Sequence, residues 1–224
     1  HHPPGGRMLD FATARTNMVE SQLRPNRVAD HRVIAAFETV PRERYVPEAK
    51  RSIAYIDEDL RIAPDRHMME PMVLARLIED AQVTSNDVCL VVGSALGYAC
   101  AVLAHLAGTV VGLESDETLA DKAERTLAKE GVDNAVIVRG SLTDGVPRQG
   151  PFNVILINGA VARLPETLVN QLADGGRLVG VRRESRIGRA FLLERFGDAT
   201  GERVLFDANT PVLSAFQTER GFVF

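Results

Sequence analysis

The sequence is poor in the residues that mark several functional classes. It has no tryptophan, two cysteines and an aromatic share of 5% over 224 residues. Two cysteines cannot build a disulfide framework. Cys89 and Cys100 fall inside a predicted strand and helix, which points to two buried thiols. Positive charge is not in excess: 26 Lys and Arg stand against 30 Asp and Glu, for a net charge of −4. That balance argues against a protein built mainly to hold nucleic acid. No apolar run approaches the ~18 residues that a membrane span needs, and no signal-peptide pattern follows Met8. A cytoplasmic location is the expectation. There is no internal repeat and no low-complexity tract. The leading His1-His-Pro-Pro-Gly-Gly-Arg7 reads as an expression-tag remnant and is set aside.

What is present is an ordinary globular composition, with 45% hydrophobic and 25% charged residues. It is organised around Asp87–Ala99, DVCLVVGSALGYA. Val88–Val92 is a short unbroken apolar run cut by Gly93, as expected of a strand buried on both faces of a parallel sheet. A glycine-bounded turn, Gly93-Ser-Ala-Leu-Gly97, then leads into a helix starting at Tyr98. Strand, tight turn and helix N-terminus form the first half of a nucleotide-binding βαβ unit. A second strand, Thr109–Leu113, ends in Glu114, about 20 positions on, where such units hydrogen-bond a ribose hydroxyl. Glu114 closes an apolar strand, where a carboxylate has no packing purpose, so it is expected to face the crevice.

Further strands are predicted at Ala135–Arg139, Pro151–Ile157 and Arg177–Val181. Helices are predicted from Ser115 or Asp116 to Lys129 and from Pro165 to Ala173. This alternation gives a doubly wound parallel sheet whose ligand crevice lies beyond the carboxyl ends of its strands. Gly93–Gly97, Glu114, Gly140-Ser141 and Asn158–Ala160 would surround it. Ahead of the sheet, two helices flank a break at Arg24-Pro25-Asn26. A short extended piece spans Tyr55–Ile62, and a helix begins at Pro71. In the tail, Ala190–Phe196, Arg203–Phe206, Val212–Phe216 and Gly221–Phe224 read as short strands joined by turns, hence an antiparallel edge. The expected division is a helical subdomain over 8–82, a Rossmann-like core over 83–189 and antiparallel strands over 190–224. His67 with Glu70 reads as a surface pair, since two candidate ligands without a third make a poor metal site. Asp57–Asp59 reads as solvated loop acids, and Arg182, Arg183, Arg186 and Arg189 as a solvated hairpin.

Several segments carry a resemblance. Met18-Val-Glu-Ser-Gln-Leu23, Val40-Pro-Arg-Glu-Arg-Tyr-Val-Pro47, Ala54-Tyr-Ile-Asp57 and Leu164–Val179 together resemble the protein-L-isoaspartate O-methyltransferases, in the right order from Met18 to about Leu213. The resemblance implies a class I methyltransferase fold that binds S-adenosylmethionine and esterifies the carboxylate of L-isoaspartyl residues in damaged proteins. It implies no metal, no nucleic acid and no membrane partner. Gly93, Ser94, Ala95, Gly97, Tyr98, Glu114 and Ser141 take the family's cofactor positions. Met69 and Pro71 take those of Ser and Pro in Thr-Ile-Ser-Gln-Pro, whose serine lies at the methyl-transfer site.

The chain departs from the pattern at several of these places. The loop G-x-G-x-G has Ala95 at its middle glycine and Leu96 after it. Val91 stands for an acid, Ser141 for the adenine-side aspartate and Met69 for the serine. The tail V-R-F-V-P-L survives only as Asp207-Ala-Asn-Thr-Pro-Val212. An added β-carbon at Ala95 and a large side chain at Leu96 are expected to weaken cofactor binding, since overpacking costs ~1–3 kcal/mol. Catalysis is expected to be slow, because Met69 offers no hydroxyl beside the reacting carboxylate. Three functions stay open: an isoaspartyl carboxyl methyltransferase, a methyltransferase for another substrate, and a family member that has lost catalysis and acts by binding.

Overall fold

The structure is a computed structural model that describes residues 10–218. Its N-terminal part opens with helix α1 (Phe11–Met18), capped by the Asp10 side chain accepting from Thr13 N. A π turn over Val19–Leu23 and a 3-10 turn over Arg24–Asn26 follow, so the break sits where Pro25 requires it. Asp30 caps α2 (His31–Thr39) in the same way, and α2 buries Val33, Ile34, Ala36 and Phe37. Of the predicted extended piece, residues 55–59 are irregular and only its end is strand, in β1 (Leu60–Ala63), which pairs antiparallel with β2 (Arg66–Met68). The helical region thus carries a small hairpin, followed by α3 (Pro71–Asp80).

The sheet alternates as expected. β3 (Val88–Val92), α4 (Tyr98–Ala104), β4 (Thr109–Glu114), α5 (Glu117–Lys129), β5 (Ala135–Arg139), β6 (Phe152–Val161), α6 (Glu166–Val169) and β7 (Leu172–Arg182) follow in order. β8 (Arg189–Phe196) and β9 (Ala199–Asp207) complete it. The spatial order is β5-β4-β3-β6-β7-β8-β9, parallel through β7 and antiparallel beyond. β3 lies inside the sheet between β4 and β6, and the chain switches direction of winding at that point.

The two faces of β3 feed two cores. Cys89 and Val91 join the layer formed by α2–α5, while Leu90 and Val92 join Leu142, Phe152, Ile155, Leu213 and Phe216 on the other side. That second face is covered thinly. α6 is one turn, and 3-10 turns at Leu142–Asp144 and Ser214–Phe216 do the rest.

Three boundaries differ from expectation. β6 continues through Asn158–Ala160, predicted as loop, because a register irregularity lets Ala160 and Val161 resume pairing with β7. The helix expected to reach Ala173 stops at Val169, because Leu172 is drawn into the ladder opposite Phe152. In the tail β8 follows expectation, while β9 begins at Ala199 and not at Arg203, because residues 199–202 pair with residues 193–196 of β8. Val212 makes a single bridge to Ala160, and the strand suggested for Gly221–Phe224 lies outside the described residues. Three arginines of the basic hairpin are engaged internally. Arg182 pairs with Glu202, Arg183 donates to the Asn209 carbonyl, and Arg189 lies 3.9 Å from Asp207.

Both cysteines are free and buried, and burial pushes each thiol up to about 12, so they remain neutral. Cys100 also defines how closely α4 approaches β4. A β-carbon at Gly112 would lie 2.8 Å from Cys100 Sγ, 2.8 Å from Ile137 Cδ1 and 2.9 Å from Ser94 Cβ. Gly112→Ala is therefore expected to destabilise the fold by about 1–3 kcal/mol in urea denaturation, with part recovered by Cys100→Ala in the same chain. An unchanged midpoint for the single variant would show that the helix is free to move away.

Candidate active site at the carboxyl ends of the strands

The turn after β3 is built from backbone. Gly93 N and Ser94 N both donate to the Leu113 carbonyl, at 2.9 and 3.0 Å, and Gly97 N closes onto Ser94 O at 2.9 Å. Asn158 Nδ2 reaches across from β6 to the Gly93 carbonyl at 2.9 Å. Gly93 and Gly97 have φ of +81° and +101°, which only glycine takes at low cost. Ala95 is also left-handed, with φ +51°. The substituted middle position thus keeps a glycine-like turn, at a cost of roughly 1–2 kcal/mol for a residue with a β-carbon.

Glu114 supplies the compensating contact. Its side chain is completely buried, and Oε1 accepts from Ala95 N at 2.8 Å. Oε2 accepts from Asp116 N at 2.9 Å, at the start of α5. Arg66, on the hairpin strand β2, completes the set: Nε donates to Oε1 at 2.9 Å and Nη2 to Oε2 at 2.8 Å. These four donors match the roughly four acceptor sites of a carboxylate, so Glu114 is saturated. Arg66 is itself 5% exposed and is held further by Asp65 and Ser115. Burial works against its charge, but the hydrogen bonds and charges of Glu114 and Asp65 outweigh that and raise its pKa.

The other predicted site residues are distributed differently. Ser141 is exposed at the rim beyond β5, with its hydroxyl 3.2 Å from that of Thr143. The Ser94 side chain is buried, with Cβ against Gly112, and its hydroxyl has no hydrogen-bond partner among the described residues. Tyr98 points into the helical layer. Its ring meets Phe37 and Tyr45 edge-on at 6.3 and 5.9 Å, and the Arg42 guanidinium lies 4.9 Å above it. Met69 is 1% exposed within the same core, and its carbonyl accepts from Arg42 Nη2 at 3.0 Å. Pro71 is buried as the first residue of α3. In this conformation the structure brings Gly93, Ala95, Gly97 and Glu114 together, with Ser141 at the edge and Ser94, Tyr98 and Met69 turned into the core.

Arg66 and Leu213 are the residues that the sequence did not reveal. Leu213 seats on the glycine backbone: a β-carbon at Gly93 would lie 3.6 Å from Leu213 Cδ1, and one at Gly159 only 2.6 Å from Cγ. In the conformation described, all four acceptor sites of Glu114 are taken and Leu213 covers the glycine turn beside it. The only signal in the sequence for Arg66 was a cation beside Asp65 in a hairpin, with nothing to link it to a residue 48 positions away.

Near the proline, Glu70 is half-buried beside Asp57, Glu58 and Asp59. Burial, a hydrogen bond donated by the protonated carboxyl to Asp57, and the neighbouring acids push its pKa up to about 7. His67 is lowered by burial. Among the described residues no group of three His, Cys, Asp or Glu could hold a metal ion.

The sequence profile of the protein-L-isoaspartate(D-aspartate) O-methyltransferases matches residues 14–200. The chain belongs to that family. It is 41% identical over 178 residues to protein-L-isoaspartate O-methyltransferase 2 of Anaeromyxobacter sp., covering 80% of this chain and 73% of the relative. It is 37% identical over 165 residues to the protein-L-isoaspartate O-methyltransferase of Methanoculleus marisnigri, covering 74% and 75%. Among solved structures, one protein-L-isoaspartate O-methyltransferase superposes with a TM-score of 0.76 at 24% identity, over 90% of this chain and 65% of that one. Another, from Plasmodium falciparum in complex with S-adenosyl-L-homocysteine, gives 0.74 at 22%, over 92% and 98%. These structural matches establish the class I methyltransferase fold of this family member. No helix of the described residues is long and apolar enough to cross a membrane.

Because the fold favours protonated Glu70, that group contributes stability below pH ~4.5 that is lost as pH rises through about 7. Glu70→Gln is expected to become increasingly stabilising relative to the unmodified chain across that window. Urea midpoints for both forms at several pH values between 4.5 and 8 would check this, and a constant difference would contradict it.

Proposed function

We propose that this chain is an S-adenosylmethionine-dependent carboxyl O-methyltransferase of L-isoaspartyl residues in damaged proteins, working in the cytoplasm. The observation that carries the reading is 41% identity, over most of both chains, to a protein-L-isoaspartate O-methyltransferase. The Plasmodium relative's S-adenosylhomocysteine supports the choice of cofactor, and two free thiols suit a reducing compartment. When bound, the cofactor supplies a sulfonium-activated methyl. The protein then has mainly to align the acceptor carboxylate and exclude water. Met69 contributes no hydroxyl to that alignment, and its buried side chain spends its contacts on the core.

A second reading, a family member that binds without turnover, is favoured by the saturation of Glu114 together with Met69 in the serine's place. Incubating the purified chain with methyl-labelled S-adenosylmethionine and an isoaspartyl peptide distinguishes the two. Base-labile methyl ester is expected on that peptide and not on its normal aspartyl counterpart. The rate should be roughly 10²-fold below that of a relative with serine at position 69, the usual consequence of losing one aimed polar contact. No ester above a heat-killed control would remove the isoaspartyl methyltransferase reading.

Ser141 offers an independent test, since it is exposed and can change with little effect on folding. Ser141→Asp restores an acceptor on the adenine side and is expected to tighten S-adenosylhomocysteine binding about fivefold, the effect of one hydrogen bond near 1 kcal/mol. Equal affinities by calorimetry would show that this rim does not meet the adenine.

A further inference from the structure

We infer that this family member holds its own cofactor crevice shut with a two-part latch: the Arg66 guanidinium on Glu114, and the strap 208–216 with Leu213 pressed on the glycine turn. The inference rests on the proposed function, because it is that reading which makes the crevice a cofactor site. It concerns how the site is regulated.

The Arg66 contact occupies the acid in the manner of the ligand. A ribose diol presents two adjacent O–H donors to a carboxylate, and the guanidinium fork presents two parallel N–H donors to the same two oxygens. With Nε on Oε1 at 2.9 Å and Nη2 on Oε2 at 2.8 Å, the diol and Arg66 are mutually exclusive occupants. Ala95 N and Asp116 N, in contrast, approach from the turn and from α5 and hold the carboxylate in place whichever occupant is present.

The strap closes the other side. Ala160 N donates to the Pro211 carbonyl and Leu213 N to the Ala160 carbonyl, each at 3.0 Å, and Ala162 N donates to the Phe216 carbonyl at 2.9 Å. These bonds place the Leu213 side chain over the Gly93 and Gly159 backbones, the surface that glycines leave open for close approach.

Asp65 joins the two parts. It accepts from Ser214 N at 3.0 Å and from Ser214 Oγ at 2.7 Å, while its Oδ2 pairs with Arg66 Nη1 at 2.7 Å. The clip is lightly held. Ser214 is exposed, the Asp65 side chain is 40% exposed, and the strap contributes one bridge rather than a strand. Beside the latch lies a cavity of about 340 Å³ bordered by Pro64, Asp65, Arg66, Ser115 and Asp116, so the pair is not packed over on that side. Opening thus exchanges the exposed clip, the ion pair, the strap's backbone hydrogen bonds and the burial of Leu213 for the ligand's contacts, and the apparent affinity is scaled down by the fraction of molecules that are open.

Hydrogen exchange of the full chain, with and without Ser214→Ala, tests the latch with no ligand present. The amides of residues 213 and 214 should be protected in the unmodified chain. In Ser214→Ala they should exchange about tenfold faster, with β3 and β4 unchanged. Calorimetric titration with S-adenosylhomocysteine then compares the unmodified chain, Ser214→Ala and Arg66→Gln, and at least about tenfold tighter binding by the variants is expected. Arg66→Gln leaves a buried acid without its cation, so Ser214→Ala at an exposed position carries the test if that variant fails to fold. Exchange of residues 213 and 214 at the rate of an unstructured peptide would overturn the latch, as would equal affinities for the unmodified chain and Ser214→Ala. Absence of binding by every form, with the exchange difference intact, would support the closed strap and remove the cofactor reading instead.

Discussion

A carboxylate with no exposed surface dominates this molecule. A charge in that position is tolerated only when it is fully hydrogen-bonded and paired, and removing one partner of such a pair typically costs ~3–5 kcal/mol. Glu114 satisfies the condition by drawing donors from three separate places: the turn after β3, the first residues before α5, and the hairpin β1–β2. The same four bonds thereby fix the left-handed Ala95, set the start of α5 and anchor a hairpin that has few other ties to the sheet. The carboxyl end of the sheet is therefore organised by electrostatic necessity rather than by apolar packing.

A second buried charge organises the helical layer in a different way. Arg42 has no exposed surface and no carboxylate partner; it donates to the Ala54 carbonyl at 2.5 Å and the Met69 carbonyl at 3.0 Å and lies over the Tyr98 ring. Its Nη1 and the hydroxyls of Tyr45 and Tyr98 have no hydrogen-bond partner among the described residues. Polar groups left over in this way are commonly bridged by buried water. Burial raises the Tyr98 pKa, against the opposing effect of Arg42, so the phenol stays neutral. The segment 40–47 and Met69, which carry part of the family signature or its replacement, thus join two stretches of backbone around one cation.

These two centres explain how a family member can keep its fold while its site residues change. The turn tolerates Ala95 because Glu114 holds the strained amide. The proline helix tolerates Met69 because its carbonyl, the group that Arg42 binds, does not depend on the side chain.

Local pattern determined a great deal. The buried strands at Val88–Val92 and Thr109–Glu114, the capped helix α5 and the winding of the sheet follow from apolar periodicity, glycine punctuation and capping residues, all written within a few positions of one another. The family was legible in ordered short motifs. What only the tertiary structure decided is which partners those residues take. The extension of β6, the shortening of α6 and the length of β9 depend on ladder pairing with partner strands, which overrides local preference. Glu114 was singled out by its position, but its saturation was not visible. Arg66 lies 48 residues earlier on a hairpin whose placement no sequence period encodes, and Leu213 arrives on a strap from the far end of the chain. A carboxylate's neighbours are set by the fold as a whole, and those neighbours decide whether it is open to a ligand.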